Sequence, residues 1–179
     1  MPIYYHSDYG GGDSDTGRIV QVVTLSKTDQ DSYSMSHQTL TGTISNFSPS
    51  ITMHDANNKV LVLGMINVDT SSGNYYNAIG VLLYRNGSQI GQGDSAGSRR
   101  RIHSSVATAA GYYNSNRGAS AGNIHFLDSP GSGTHTYSIQ LSNNYSANNT
   151  IYVNEGGSQS DHVTRTRTVS TFTLMEIAA

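Results

Sequence analysis

The chain has 179 residues, 12% of them charged, with a formal net charge of −2 and no cysteine. That length suits one all-β domain, the missing thiols exclude disulfide stapling and thiolate metal sites, and the near-neutral balance excludes the basic footprint of a nucleic-acid binder. No apolar run is long enough for a membrane-spanning helix, and Met1-Pro2-Ile3-Tyr4-Tyr5-His6 lacks the basic-then-apolar order of a secretory signal, so assembly in a cytoplasm without membrane insertion is expected.

Residues 1–17 stand apart from the rest. Tyr4, Tyr5 and Tyr9 precede Gly10-Gly11-Gly12-Asp13-Ser14-Asp15-Thr16-Gly17, a polar stretch without periodicity. Two readings fit it: an arm whose tyrosines attach the domain to its neighbours, or a disordered leader. Residues 18–179 then form a single domain. Strand signals run over Arg18 to Lys27, Ser32 to Leu40 and Ser50 to His54, followed by Lys59 to Val68 and Tyr75 to Arg85. Asn86-Gly87 predicts a type I′ hairpin turn, because both central positions of that turn need positive φ. Ser88 to Gly91 begins the return strand. Further strands are predicted at Arg100 to Ala107, Asn123 to Leu127, His135 to Leu141, Thr150 to Asn154 and Val169 to Ile177. In the His135 strand, Ser138, Gln140 and Ser142 alternate with Tyr137, Ile139 and Leu141 and predict one wet face.

Helix is almost absent from this pattern. Short strands joined by glycine-rich turns predict an antiparallel β-sandwich, jelly-roll-like in form. The last strand runs to within two residues of the end with Phe172, Leu174, Met175 and Ile177. Such a tail must be paired and covered to avoid being an aggregating edge. Val60 to Ile66 and Ile79 to Tyr84 are apolar on both faces, whereas a lone sandwich leaves one face of each sheet to water. Further copies of the chain would cover those faces, and a loop could do so instead. Val60, Val62, Ile79, Val81, Leu83, Phe172, Leu174 and Ile177 are the expected packing residues of a homotrimer.

An ordered set of segments carries a resemblance. Gly17-Arg18-Ile19-Val20-Gln21-Val22-Val23 with Lys27-Thr28-Asp29, Lys59-Val60-Leu61-Val62, Leu83-Tyr84-Arg85-Asn86-Gly87 and Ile90-Gly91-Gln92-Gly93-Asp94 form its first part. Phe126-Leu127-Asp128-Ser129-Pro130, Tyr152-Val153-Asn154 and Thr173-Leu174-Met175-Glu176-Ile177 complete it. Together they resemble a domain of tailed-bacteriophage structural proteins, especially those of cyanophages and other marine phages. The resemblance covers residues 17 to 179 and implies a virion-surface protein, such as a tail-fibre tip or other receptor-binding module. It also implies a trimeric jelly roll of the tumour-necrosis-factor type, with one sheet of each protomer at a threefold axis. Long fibre proteins carry a shaft before this domain, whereas only a short arm precedes it here. If residues 1–179 are the whole gene product, that departure favours a compact trimer, including capsid decoration or a head fibre anchored to the shell by the arm. Expected partners are the chain itself, a capsid or tail adaptor protein and host surface polysaccharide; no cofactor is expected.

Chemistry-bearing patterns are sparse. Gly93-Asp94-Ser95-Ala96-Gly97 is similar to the nucleophile loop of chymotrypsin-like serine hydrolases. The triad needs a base within hydrogen-bond reach of the serine, and His54 and Asp55 are adjacent, so on a strand they face opposite ways. A non-enzymatic protein is therefore expected, with a Ser95 hydrolase as the distant alternative. The seven histidines are scattered singly, without metal-ligand spacing. Asp13-Ser14-Asp15 starts like a calcium loop but lacks its later ligands. Arg99-Arg100-Arg101 is the one basic run, either a solvated loop or a contact for an acidic partner or sugar. Tyr112, Tyr113, Asn114, Asn116 and Arg117 form a tyrosine-rich loop suited to host or glycan contact, although packing would also explain the tyrosines.

Overall fold

The computed structural model describes residues 16–71, 78–107, 119–144, 147–156, 161, 163 and 166–179. They form eleven strands: β1 (Ile19–Lys27), β2 (Asp31–Met35), β3 (Ser50–Thr52), β4 (Lys59–Thr70), β5 (Ala78–Arg85), β6 (Ser88–Ile90), β7 (Ser104–Ala107), β8 (Ser120–Asp128), β9 (Thr134–Asn143), β10 (Asn149–Val153) and β11 (Ser170–Ile177). One sheet has six strands in the order β1-β11-β4-β10-β2, with β8 on the other side of β4; the second has five, in the order β3-β9-β5-β6, with β7 on β5. The chain crosses between the sheets at β2–β3, β3–β4, β4–β5, β7–β8, β8–β9 and β9–β10. This antiparallel, interleaved connectivity is that of a jelly-roll-like sandwich.

The hairpin turn has the expected geometry, with φ of 49° at Asn86 and 80° at Gly87. The tail is covered as expected: β11 lies between β1 and β4, with Leu174 opposite Val23 on one side and Val62 on the other. Its burial alternates strictly. Phe172 and Leu174 enter the core, where the Phe172 ring lies 5.6 Å from that of Phe47. Thr171, Thr173, Met175 and Ile177 face outward.

Glu176 shares the inward face of β11 and is fully buried. Its carboxylate accepts hydrogen bonds from Gln21 Nε2 (2.6 Å), Asn58 Nδ2 (2.7 Å), His54 Nδ1 (2.8 Å) and the His54 backbone N–H (2.9 Å). Burial alone would raise its pKa, but the bonds from Asn58, His54 and Gln21 outweigh it and hold the carboxyl at about 2, against 4.5 ordinarily. The carboxylate thereby pins the β3–β4 loop to the C-terminal strand. A second polar tie joins the two sheets. Arg85 Nη1 on β5 donates to both oxygens of Asp128 on β8, at 2.8 and 2.7 Å, and the Tyr137 hydroxyl on β9 donates to the same carboxylate at 2.7 Å.

The expected wet face of β9 is corrected by the structure. Ser138 and Ser142 are buried, because the smaller sheet is overlaid by its own loop. A Cβ placed on Gly80 of β5 would lie 2.3 Å from Ser142 Oγ and 2.9 Å from Ile102 Cγ2, so Ile102 of the β6–β7 loop sits directly on that face. Leu82, also outward on β5, is 2% exposed. The loop cover weighed against self-association is therefore what β5 uses.

Candidate self-association surface

The outer face of the six-stranded sheet has no such cover among the described residues. Strand register aligns Leu127 of β8, Leu61 of β4, Met175 of β11 and Val22 of β1 in one row across four strands. At about 4.8 Å between strands, that row is about 14 Å long. The next row toward the middle of the strands is His125, Leu63, Thr173 and Thr24, and beyond it Asn123, Met65, Thr171 and Ser26. On the other side lie Lys59, Ile177 and Ile19.

Val22 and Leu127 are each 51% exposed, Ile19 is 53% and Met65 36%. Leu61, Leu63, Met175 and Ile177 between them are half-buried. Lys59, at the margin, is the one lysine, arginine or carboxylate in these rows. Scattered exposed leucines need no explanation, whereas an unbroken apolar row across four strands, with Leu63, Met65, Ile177 and Ile19 beside it, is the kind of patch that marks an interaction surface.

Most of the residues expected at subunit contacts do not lie on this face. Val60, Val62, Ile79, Val81, Leu83, Phe172 and Leu174 are all at most 2% exposed and belong to the core between the sheets. Only Ile177 of that set lies on the outer face. The apolar runs show that both faces avoid water, but not which of them faces the partner sheet. Leu61, Leu63, Met65, Val22, Leu127 and Met175 lie on the outer face instead, where strand parity relative to a known inward neighbour would have placed them. Glu176 was missed; its signal is a lone carboxylate on the apolar side of a strand.

The tyrosine loop of Tyr112, Tyr113, Asn114, Asn116 and Arg117, the arm residues Tyr4, Tyr5 and Tyr9, and Asp13 and Asp15 lie outside the described residues. Ser95 sits on an exposed loop and bonds to no histidine among the described residues. His54 is instead held by Glu176, and Asp55 accepts from the Asn57 backbone at 2.8 Å. Among the described residues, no three of histidine, aspartate and glutamate gather into a metal site.

No family model and no curated protein matches the chain. Among solved structures it is similar to that of infectious bursal disease virus Gt strain, at 15% identity over 100% of this chain and 43% of the other, with a TM-score of 0.46. A crystal structure of the infectious bursal disease virus VP2 subviral particle is similar at 15% identity over 99% of this chain and 42% of the other, with a TM-score of 0.43. The chain spans less than half the length of either, and the sandwich described above rests on its own strand pairing.

Proposed function

We propose that the chain is a non-enzymatic structural component of a virus particle, a jelly-roll-like module that assembles as a homotrimer through the outer face of its six-stranded sheet. The observation that carries self-association is the row Leu127–Leu61–Met175–Val22 with its apolar neighbours. Burying such a face stabilises an assembly by about 25 cal/mol for each Å² of apolar surface removed from water. The nearly uncharged rows let like faces meet without repulsion. The place in a virion is supported by the ordered resemblance to tailed-phage structural domains. Within the particle the module serves as a fibre tip or receptor-binding unit, with Tyr4, Tyr5 and Tyr9 of the arm joining it to a capsid or tail adaptor. Tyr112, Tyr113, Asn114, Asn116 and Arg117 are its host-facing candidates.

Surface labelling of intact particles with an antibody to residues 18–179, together with copy counting by quantitative mass spectrometry, tests this reading. Labelling at tail or fibre ends, in multiples of three copies, is expected. Saturation of empty capsids would move the module to a decorating role on the shell. Absence from purified particles, or stoichiometric labelling of Ser95 by a fluorophosphonate, would overturn the proposal.

A further inference from the structure

We propose that the cavity bounded by Gln38, Ser98, Arg99, Arg100 and Asn144 binds an acidic saccharide, a short glycan carrying carboxylate or sulfate groups. The cavity has a volume of about 570 Å³, within the range of small-ligand sites. Three separate stretches build it: the turn after β2, the β6–β7 loop and the residue following β9. None of its residues belongs to the apolar rows of the self-association face.

Charge and chemistry both point to an anion. Among the described residues that line it, two are arginines and none is acidic, in a chain whose formal net charge is −2. Arginine presents a planar fork of donors that matches carboxylate and sulfate oxygens. Gln38, Ser98 and Asn144 add neutral amide and hydroxyl groups, which suit the hydroxyls of a sugar ring better than a purely ionic partner would.

The walls are held before any ligand arrives. Arg101 Nε donates to the Gly93 carbonyl at 2.6 Å, Gln89 Nε2 to the Arg101 carbonyl at 2.8 Å, and the His103 backbone N–H to the Val81 carbonyl at 2.9 Å. Ser142 Oγ donates to Asn144 Oδ1 at 2.9 Å. Arg100 reaches across to donate to the Gln38 carbonyl. Gln38 itself has a φ of 58°, a left-handed conformation that side chains other than glycine seldom adopt. Such backbone is kept where the surrounding structure enforces it, and binding sites are a common setting. Arg99, by contrast, is exposed and its guanidinium has no partner among the described residues. It is the group left to take the acid, with Arg100 fixed beside it.

This inference deepens the reading of a particle-surface module, since an outward-facing module is what would meet such a glycan. The binding step itself needs only the purified chain. Calorimetric titration with trigalacturonate, a sulfated galactotriose and neutral galactotriose tests it. One or both acidic probes should bind at least about tenfold more tightly than the neutral one, and the stronger of the two names the acid group. Arg99→Gln should weaken that binding by about tenfold or more while leaving the melting temperature and oligomeric state unchanged. Equal binding of the neutral probe, no binding of either acidic probe, or undiminished binding by Arg99→Gln would overturn it. Surface labelling of particles reads the proposed location separately, so either proposal can fail without the other.

Discussion

β4 and β5 both carry apolar residues on their two faces, and their outer faces meet different ends. Over β5 the chain supplies its own cover: Ile102 lies on Gly80, and Leu82 is 2% exposed. Over β4 the described chain lays nothing: Met65 is 36% exposed, and Leu127, beside Leu61 on β8, is 51% exposed. A two-sided apolar strand thus states that both faces must leave water, without stating what removes it. The same sequence signal is met by a loop on one sheet and, in our proposal, by other copies on the other.

Substitutions can break this contrast in graded steps. Leu174→Asp should have the largest effect, because Leu174 lies in the core and an unpaired buried carboxylate has no partner there. A cost above about 4 kcal/mol is expected, seen as loss of the folded circular-dichroism signal. Ile177→Asp, three residues later on the outward face, should instead fold normally and impair only assembly.

Gly80→Val tests the loop cover. Its Cβ would lie 2.9 Å from Ile102 Cγ2 of the β6–β7 loop and 2.3 Å from Ser142 Oγ of β9, so the loop must lift as the Ser142 side chain shifts, at about 1–3 kcal/mol. Faster hydrogen exchange across residues 91–103, with β4 unaffected, is the expected signature.

Glu176→Gln should cost about 1–3 kcal/mol at neutral pH, because buried donors lose a charged acceptor. Its pH signature follows from the depressed pKa. A carboxyl held at about 2 when folded, against an ordinary 4.5, contributes stability that is fully present above pH 4.5. That contribution is lost as pH falls from 4.5 through about 2. Acid titrations of the melting temperature should therefore be flatter over that interval in the variant than in the wild type. Tyr137→Phe should have the smallest effect, about 1 kcal/mol for one hydrogen bond to Asp128.

Much of the fold was legible from the chain. Strand positions followed from alternation and turn chemistry, and Asn86-Gly87 fixed one hairpin register outright. The tail was recognisable as an inner strand because Phe172 and Leu174 alternate with Thr171 and Thr173. The predicted strand from Ser32 to Leu40 stops at Met35, since the left-handed Gln38 turns the chain away. The outer apolar row was less legible. Choosing between Val60 and Leu61 as the outward residue requires knowing where the second sheet lies, and apolar residues at both positions erase the periodic signal. Ser138 and Ser142 misled for the converse reason: small polar residues mark an exposed face unless a distant loop returns over it, and local sequence does not register that return. The Glu176 cluster draws Gln21 from β1 and His54 and Asn58 from the β3–β4 loop, all distant in sequence from Glu176, so only the assembled register reveals it.

The most direct test of the account is the mass of the purified chain in solution, by sedimentation equilibrium at micromolar concentration, beside that of the Leu61→Asp/Met175→Asp double variant. The wild type should run at three times 19.2 kDa, and the variant at 19.2 kDa with an unchanged circular-dichroism spectrum. A wild-type chain that remains at 19.2 kDa, or a double variant that still forms the trimer, would contradict the claim that the outer face of the six-stranded sheet is where copies meet.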